Sequence, residues 1–161
     1  MIFVIVGGVV EFDFSRILKI LDEIVGENII NSNEIVAQIG HSKYVPTNYK
    51  NFRFVDGDEF QKYIDDSDLI ITHGGVGTLI SAMKKHKKII SFPRLAKYNE
   101  HLDDHQLEFT TILKNDGYIK MATDKMELIK VINEIKNFEP KEFVSDNSYM
   151  SRIIVDFIEK I

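Results

Sequence analysis

The chain has no cysteine. A disulfide framework, thiolate chemistry and a zinc–thiolate site are therefore excluded. It has no surplus of basic charge: 20 lysines and arginines stand against 25 aspartates and glutamates, a net −5, and the two signs are mixed along the sequence. Nucleic-acid binding normally leaves a basic footprint, so no nucleic-acid partner is expected. No apolar run is long enough to cross a bilayer. Met1 to Val10 is apolar, but it is short and lacks a basic flank and a small-residue cleavage site, so it reads as a buried strand. The expected location is cytoplasmic, with any membrane contact peripheral, at the inner face, and made through a partner. There is no internal repeat and no low-complexity segment. At 161 residues, 44% hydrophobic and 28% charged, the chain is of a size and composition to bury a proper core.

What is present is an alternation of strand-like and helix-like segments. Strands are expected at Ile2–Val6, Glu34–Ile39, Phe52–Val55, Asp68–Ile71, Lys88–Phe92 and Tyr118–Met121. Helices are expected at Phe14–Val25, Glu59–Ile64, from about Thr78 to Lys85, from about Leu102 to Lys114, and at Asp124–Ile135. Asp13 or Ser15 is a candidate cap for the first helix, and Gly117 a candidate terminator of the fourth. Such alternation predicts an α/β fold: a doubly wound, mostly parallel, Rossmann-like sheet with helices on both faces. Residues 1–136 would form this domain. Residues 137–161 would form a linker and an amphipathic helix from about Ser148 to Lys160, with Met150, Ile153, Ile154, Phe157, Ile158 and Ile161 on one stripe. That stripe suits either the domain's own sheet or a partner chain.

In an open parallel sheet the ligand sits beyond the carboxyl ends of the strands. Three loops are expected there: Gly7–Asp13, Thr72–Gly77 and Pro93–His105. The second carries the run Thr72-His73-Gly74-Gly75-Val76-Gly77-Thr78, set between a strand and a helix. The N–H groups that open a helix lack intrahelical partners, and the helix dipole adds partial positive charge. Glycines let a phosphate approach the backbone. A phosphate-bearing ligand is the first expectation.

Three blocks together carry a family resemblance: Ile70 to Thr78, Lys88 to Arg94, and Glu100-His101-Leu102-Asp103-Asp104-His105-Gln106-Leu107-Glu108. They resemble the donor-binding subunit of two-component GT-B glycosyltransferases, in the C-terminal-domain group of glycosyltransferase family 28. That family includes enzymes of dolichol-linked chitobiose synthesis and of bacterial capsule and exopolysaccharide assembly. The resemblance spans roughly residues 1 to 135 and implies the C-terminal half of a GT-B enzyme. The implied reaction is hexosyl transfer from a UDP-sugar to a lipid-linked saccharide acceptor in surface polysaccharide biosynthesis. The implied acceptor-side partner is a membrane-anchored chain. Metal independence is implied as well, and no Asp-x-Asp motif is present.

On this reading Gly74, Gly75, Gly77 and Thr78 would hold the diphosphate, with Gly7 and Gly8 beside them. His105 and Gln106 would orient the donor. Arg94 and His73 would assist the phosphates. His73 would contact donor or acceptor or move a proton, since its ordinary pKa lies near neutrality. Glu11 is a candidate base for the acceptor hydroxyl. Two positions depart from the family pattern. The first loop, Gly7-Gly8-Val9-Val10-Glu11, lacks a polar Thr-His pair. Ser81 stands where relatives place a ribose-binding glutamate, and a serine cannot make the bidentate clasp.

Two other readings stand beside this one. A non-catalytic interaction subunit would keep the fold and bind a membrane-anchored glycosyltransferase chain. A nicotinamide-dependent oxidoreductase is disfavoured, because Gly7-Gly8 does not open a Gly-x-Gly-x-x-Gly turn.

Overall fold

The computed structural model describes residues 1–8, 10–144 and 151–155. Six strands form one sheet: β1 (Ile2–Ile5), β2 (Ile35–Gln38), β3 (Lys50–Phe52), β4 (Leu69–Thr72), β5 (Lys88–Ser91) and β6 (Lys120–Met121). Their order is β3-β2-β1-β4-β5-β6 and every pairing is parallel. The connecting helices are α1 (Ser15–Gly26), α2 (Gly57–Asp66), α3 (Val76–Lys84), α4 (His105–Asn115) and α5 (Lys125–Glu134). The doubly wound α/β architecture expected from the alternation is therefore present.

Burial on both faces explains the unbroken β-branched runs. Alternate residues of each central strand point to opposite sides. Val4, Val6, Leu69, Ile71 and Ile90 pack with Ile17, Leu18, Leu21 and Ile24 of α1 and Leu128 of α5. Phe3, Ile5, Ile70 and Ile89 pack with Ile64 of α2, Leu79 and Met83 of α3, and Phe109 and Leu113 of α4. Ile153 and Ile154 lie half-buried against this second layer. The other members of their predicted stripe, Met150, Phe157, Ile158 and Ile161, lie outside the described residues.

Some boundaries moved for physical reasons. β3 begins at Lys50 rather than Phe52. It is an edge strand, and its register against Val36–Gln38 rather than its own hydrophobicity sets its limits. No side chain caps α1; the Asp13 carboxylate instead accepts from Ser15 Oγ (2.6 Å) and from the Lys43 N–H (3.1 Å). The Gly117 signal holds. Gly117 follows α4 at φ +82°, and the Tyr118 N–H returns to the Leu113 carbonyl. Asp124 accepts from the Glu127 N–H at the start of α5 while Glu127 accepts from the Thr123 N–H, a reciprocal cap.

The long β2–β3 connection is tied down by Asp22 on α1. Its carboxylate accepts from Tyr44 OH (2.6 Å), the Asn48 N–H (2.8 Å) and the Thr47 N–H (3.1 Å). Burial pushes the Asp22 pKa upward, but these donors outweigh it and hold the group below its ordinary value. Tyr49 is buried and donates to the Leu18 carbonyl. Both tyrosines of this segment therefore serve the scaffold.

Candidate functional site

The chain leaves β1 toward β2 and β3, and leaves β4 toward β5 and β6. The crevice between the carboxyl ends of β1 and β4 is thus the switch point of the sheet. Gly7 stands at one side of it and His73 at the other. The His73 N–H donates to the Ile5 carbonyl, and its Nδ1 lies 3.4 Å from that oxygen and 3.3 Å from Thr72 Oγ1. A proton on Nδ1 satisfies the Ile5 carbonyl and leaves Nε2 as an acceptor.

That Nε2 sits between two glycines. A Cβ on Gly75 would stand 2.5 Å from it, and one on Gly7 would stand 2.8 Å from it. Gly7 also has φ +80°, which favours glycine independently. Gly74 serves a different contact: its Cβ would meet Gln106 Cβ at 2.8 Å and Thr110 Cγ2 at 3.1 Å, so its smallness lets α4 approach the loop. Three of the predicted glycines are thus required by side chains of the chain itself. Gly77 is different. It is exposed, and nothing lies within 4 Å of where its Cβ would be.

Gly77 and Thr78 lie in the first turn of α3, because the helix opens at Val76 rather than at Thr78. No side chain caps this end and no acidic residue lies in its first turn. Its first backbone donors therefore have no side-chain partner, and no acidic residue offsets the positive end of the helix dipole. Ser81, half-buried, is one turn further on the same helix face as Gly77.

Arg94 closes the crevice from the β5 side. It is only 2% exposed. Nη2 donates to the Val6 carbonyl at 2.8 Å, whereas Nε and Nη1 are buried without a partner. Its guanidinium lies 5.3 Å from the centre of the Phe14 ring. Burial pulls its pKa down, while Glu100 and Asp13 hold it up. One side chain joins this loop to the glycine run: Gln106 Oε1 accepts from the N–H groups of both Gly74 and Arg94, each at 3.2 Å.

The same surroundings change His73. Burial, and then the cation of Arg94, push its pKa down to about 4. The ring is neutral at neutral pH, so the proton-transfer rationale based on its ordinary pKa does not apply; Nε2 is suited to accepting a hydrogen bond. The depressed pKa predicts a stability effect of defined sign. Between about pH 6.5 and 4 the unfolded chain binds a proton that the folded chain does not. Stability from this group is therefore complete above about 6.5 and is lost as pH falls toward 4. Melting temperatures of wild type and His73→Asn over pH 4–7.5 should converge at the acid end; parallel curves would refute the assignment.

The remaining predicted residues are placed as follows. His105 opens α4, and its Nδ1 lies 3.0 Å from Asp103 Oδ2, while Asp103 Oδ1 is 3.1 Å from His101 Nδ1 and accepts from the His105 N–H. Burial raises the Asp103 pKa, but the His105 N–H and the two histidines lower it by more. Asp104 accepts from the Ala96 N–H rather than capping α4. Glu11 and Gly8 are exposed on the β1–α1 loop. The three loops expected at this edge do meet: Gly7, His73 and Arg94 touch one another's space, and Gln106 bridges to Gly74.

Two residues escaped the sequence reading. Glu100 is 2% exposed and is paired in bidentate fashion with Arg16, Nε to Oε1 and Nη2 to Oε2, both at 2.8 Å. Glu100 lies inside a recognisable block, but nothing in the sequence marks Arg16 as its partner. A groove of about 810 Å³ lies at the opposite edge of the sheet, lined by Leu69, Lys85, Lys87, Lys88 and Ile132. Its lysines are spent on the scaffold: Lys87 donates to the Asp65 and Ser67 carbonyls, and Lys88 to Ile135 and Lys136. Among the described residues no helix is long and apolar enough to cross a membrane, and no three His, Asp or Glu side chains gather as a metal-ion site.

The profile described as the glycosyltransferase family 28 C-terminal domain matches residues 1–159. A Cryptococcus neoformans protein named UDP-N-acetylglucosamine transferase subunit ALG13 is 30% identical over 101 residues, covering 61% of this chain and 49% of that protein. The Homo sapiens protein of the same name is 27% identical over 128 residues, covering 76% of this chain and 11% of that protein. The chain thus spans about half the length of the fungal relative and a small part of the human one. An NMR solution structure of ALG13 superposes with a TM-score of 0.63 at 19% identity, covering 98% of this chain and 96% of that one, a likeness of fold.

Proposed function

Since the chain belongs to the family of glycosyltransferase family 28 C-terminal domains, we propose that it is the donor-binding part of a glycosyltransferase that uses a UDP-sugar. The observation that carries this reading is the pairing of an uncapped helix N-terminus, open at Gly77, with a buried Arg94 whose Nε and Nη1 have no partner. Both supply positive charge where a leaving diphosphate would gain negative charge. UDP-N-acetylglucosamine is the first donor to test, because the relatives are named for it.

In the proposed reaction an acceptor hydroxyl attacks the anomeric carbon of the donor. The bond from that carbon to the phosphate oxygen breaks, and UDP departs with the electron pair. The hydroxyl proton passes to a base, either Glu11 or a group from the partner chain. Gly77, Thr78 and Arg94 would hold the diphosphate without a metal ion. His73 Nε2 would accept from a donor or acceptor hydroxyl, and His105 would face the donor. Gln106 would fix the two loops that carry Gly74 and Arg94.

The acceptor would be a lipid-linked saccharide presented by a membrane-anchored chain, with this chain at the cytoplasmic face. A partner is supported by apolar side chains exposed on loops at this edge: Val10 (72%), Phe54 (49%), Tyr98 (52%) and Leu102 (83%). The capsule and exopolysaccharide setting suggested by the sequence resemblance draws no support from the relatives' names.

Ser81 favours a second reading, a subunit that binds the partner but not the donor. Calorimetric titration with UDP, UDP-N-acetylglucosamine, UDP-glucose, UDP-galactose and NAD separates these. UDP binding with no competition from NAD is expected. Failure of UDP to bind both alone and with the partner present would leave the interaction-subunit reading.

A further inference from the structure

A buried arginine normally takes a carboxylate. Arg94 has one close at hand and does not use it. Glu100 Oε2 accepts from the N–H of Leu95, the residue next to Arg94, and the Glu100 charge is felt at the Arg94 guanidinium. Yet both Glu100 oxygens are taken by Arg16, at 2.8 Å each. Arg16 is itself held in place. Its Nη1 donates to the Thr123 carbonyl (2.7 Å) and its Nη2 to the Pro93 carbonyl (3.1 Å). Its guanidinium lies 4.5 Å from the Phe92 ring centre and 4.7 Å from that of Tyr98. The Phe14 ring is near both cations, 5.9 Å from Arg16 and 5.3 Å from Arg94. One carboxylate thus lies among two neighbouring guanidiniums and hydrogen-bonds only that of Arg16.

We infer that Arg16 is a positioning residue for the anion site: by occupying both oxygens of Glu100 it withholds that carboxylate from Arg94, whose Nε and Nη1 are thereby kept for an anionic ligand. The inference rests on the proposal that a diphosphate binds beside Arg94. A planar bidentate fork suits this role because it fixes the direction of the carboxylate through both oxygens at once. Without Arg16, Glu100 would be a buried unpaired carboxylate beside a buried guanidinium with two free donors, and pairing between them would be strongly favoured. The anion site would then be neutralised from within.

A binding cycle tests this. UDP and inorganic pyrophosphate are titrated into wild type, Arg16→Met, Glu100→Gln and the double variant, with thermal melts of each. Arg16→Met should weaken both ligands at least tenfold. Adding Glu100→Gln should restore binding to within about threefold of wild type, because the neutral amide no longer neutralises Arg94. A role in folding alone predicts the opposite, a double variant no better than Arg16→Met. Binding by Arg16→Met within twofold of wild type, or no recovery in the double variant, overturns the inference while leaving the donor-binding proposal intact. Wild type that binds neither ligand, with or without the partner, brings down the donor-binding proposal and this inference with it. If Arg16→Met does not fold, Glu100→Gln alone decides: binding at least as tight as wild type is expected, and a tenfold loss overturns the inference.

Discussion

Replacing Gly75 with alanine should weaken UDP binding at least about thirtyfold while leaving the sheet and helices in place. Gly75 has φ −70° and ψ 123°, a conformation alanine adopts freely, so backbone strain is not the reason. The new Cβ would stand 2.5 Å from His73 Nε2, 3.0 Å from Cε1 and 3.1 Å from Cδ2. The ring must swing out, or the loop that opens α3 must move. The first change disturbs the crevice beside Gly7, the second shifts the helix N-terminus, and for either a loss of at least ~2 kcal/mol in binding, about thirtyfold, is expected. Calorimetry with UDP and far-ultraviolet circular dichroism on one preparation would check it. Truncating the ring in His73→Ala/Gly75→Ala should recover part of the lost melting temperature. Unaltered UDP affinity in Gly75→Ala would show that this loop does not touch the ligand.

Gly77→Ala provides the contrast. No atom opposes its Cβ, and alanine is favoured over glycine in a helix by about 1 kcal/mol, so the folded state should gain stability. If a phosphate rests on the first turn of α3, the added methyl group should weaken UDP binding even so. Opposite signs for stability and binding at Gly77, against losses of both at Gly75, would separate a ligand-facing glycine from one that houses His73.

Gly40→Ala should strongly destabilise the fold. Gly40 has φ +53°, and its Cβ would lie 2.3 Å from the Gly7 carbonyl oxygen. The obstacle is backbone, so no rotamer relieves it. The left-handed conformation costs a non-glycine residue roughly 1–2 kcal/mol before the clash is counted. A total near 3 kcal/mol is expected, or roughly a 10 °C drop in melting temperature for a domain of this size. The same push reaches Gly7 and through it His73, so UDP binding should fall as well. A melting temperature within about 2 °C of wild type would contradict the close approach of these two loops.

The parts legible in the sequence were those written in local pattern. β1, β4 and β5 stood out because strands buried on both faces need unbroken β-branched runs, as Ile2–Val6, Asp68–Ile71 and Lys88–Phe92 provide. β3 was displaced by two residues because an edge strand such as Lys50-Asn51-Phe52 takes its limits from its neighbour. The glycine run was legible as a strand-to-helix turn facing a ligand edge. The reason for each glycine was not: Gly75 and Gly7 make room for the His73 ring, Gly74 for α4, and only Gly77 faces open space.

By itself, then, the sequence determined an alternating α/β chain, its winding, and the loops that would crowd the carboxyl edge, because apolar period and turn chemistry act over a few residues. Tertiary structure alone decided which polar groups meet there. Arg16 and Glu100 are 84 positions apart, and Arg94 and the Val6 carbonyl 88 apart. They come together only because β1 pairs with β4 and the chain winds outward from both, which is also what lowers the pKa of His73 and leaves two of the three nitrogens of a buried guanidinium without a hydrogen bond.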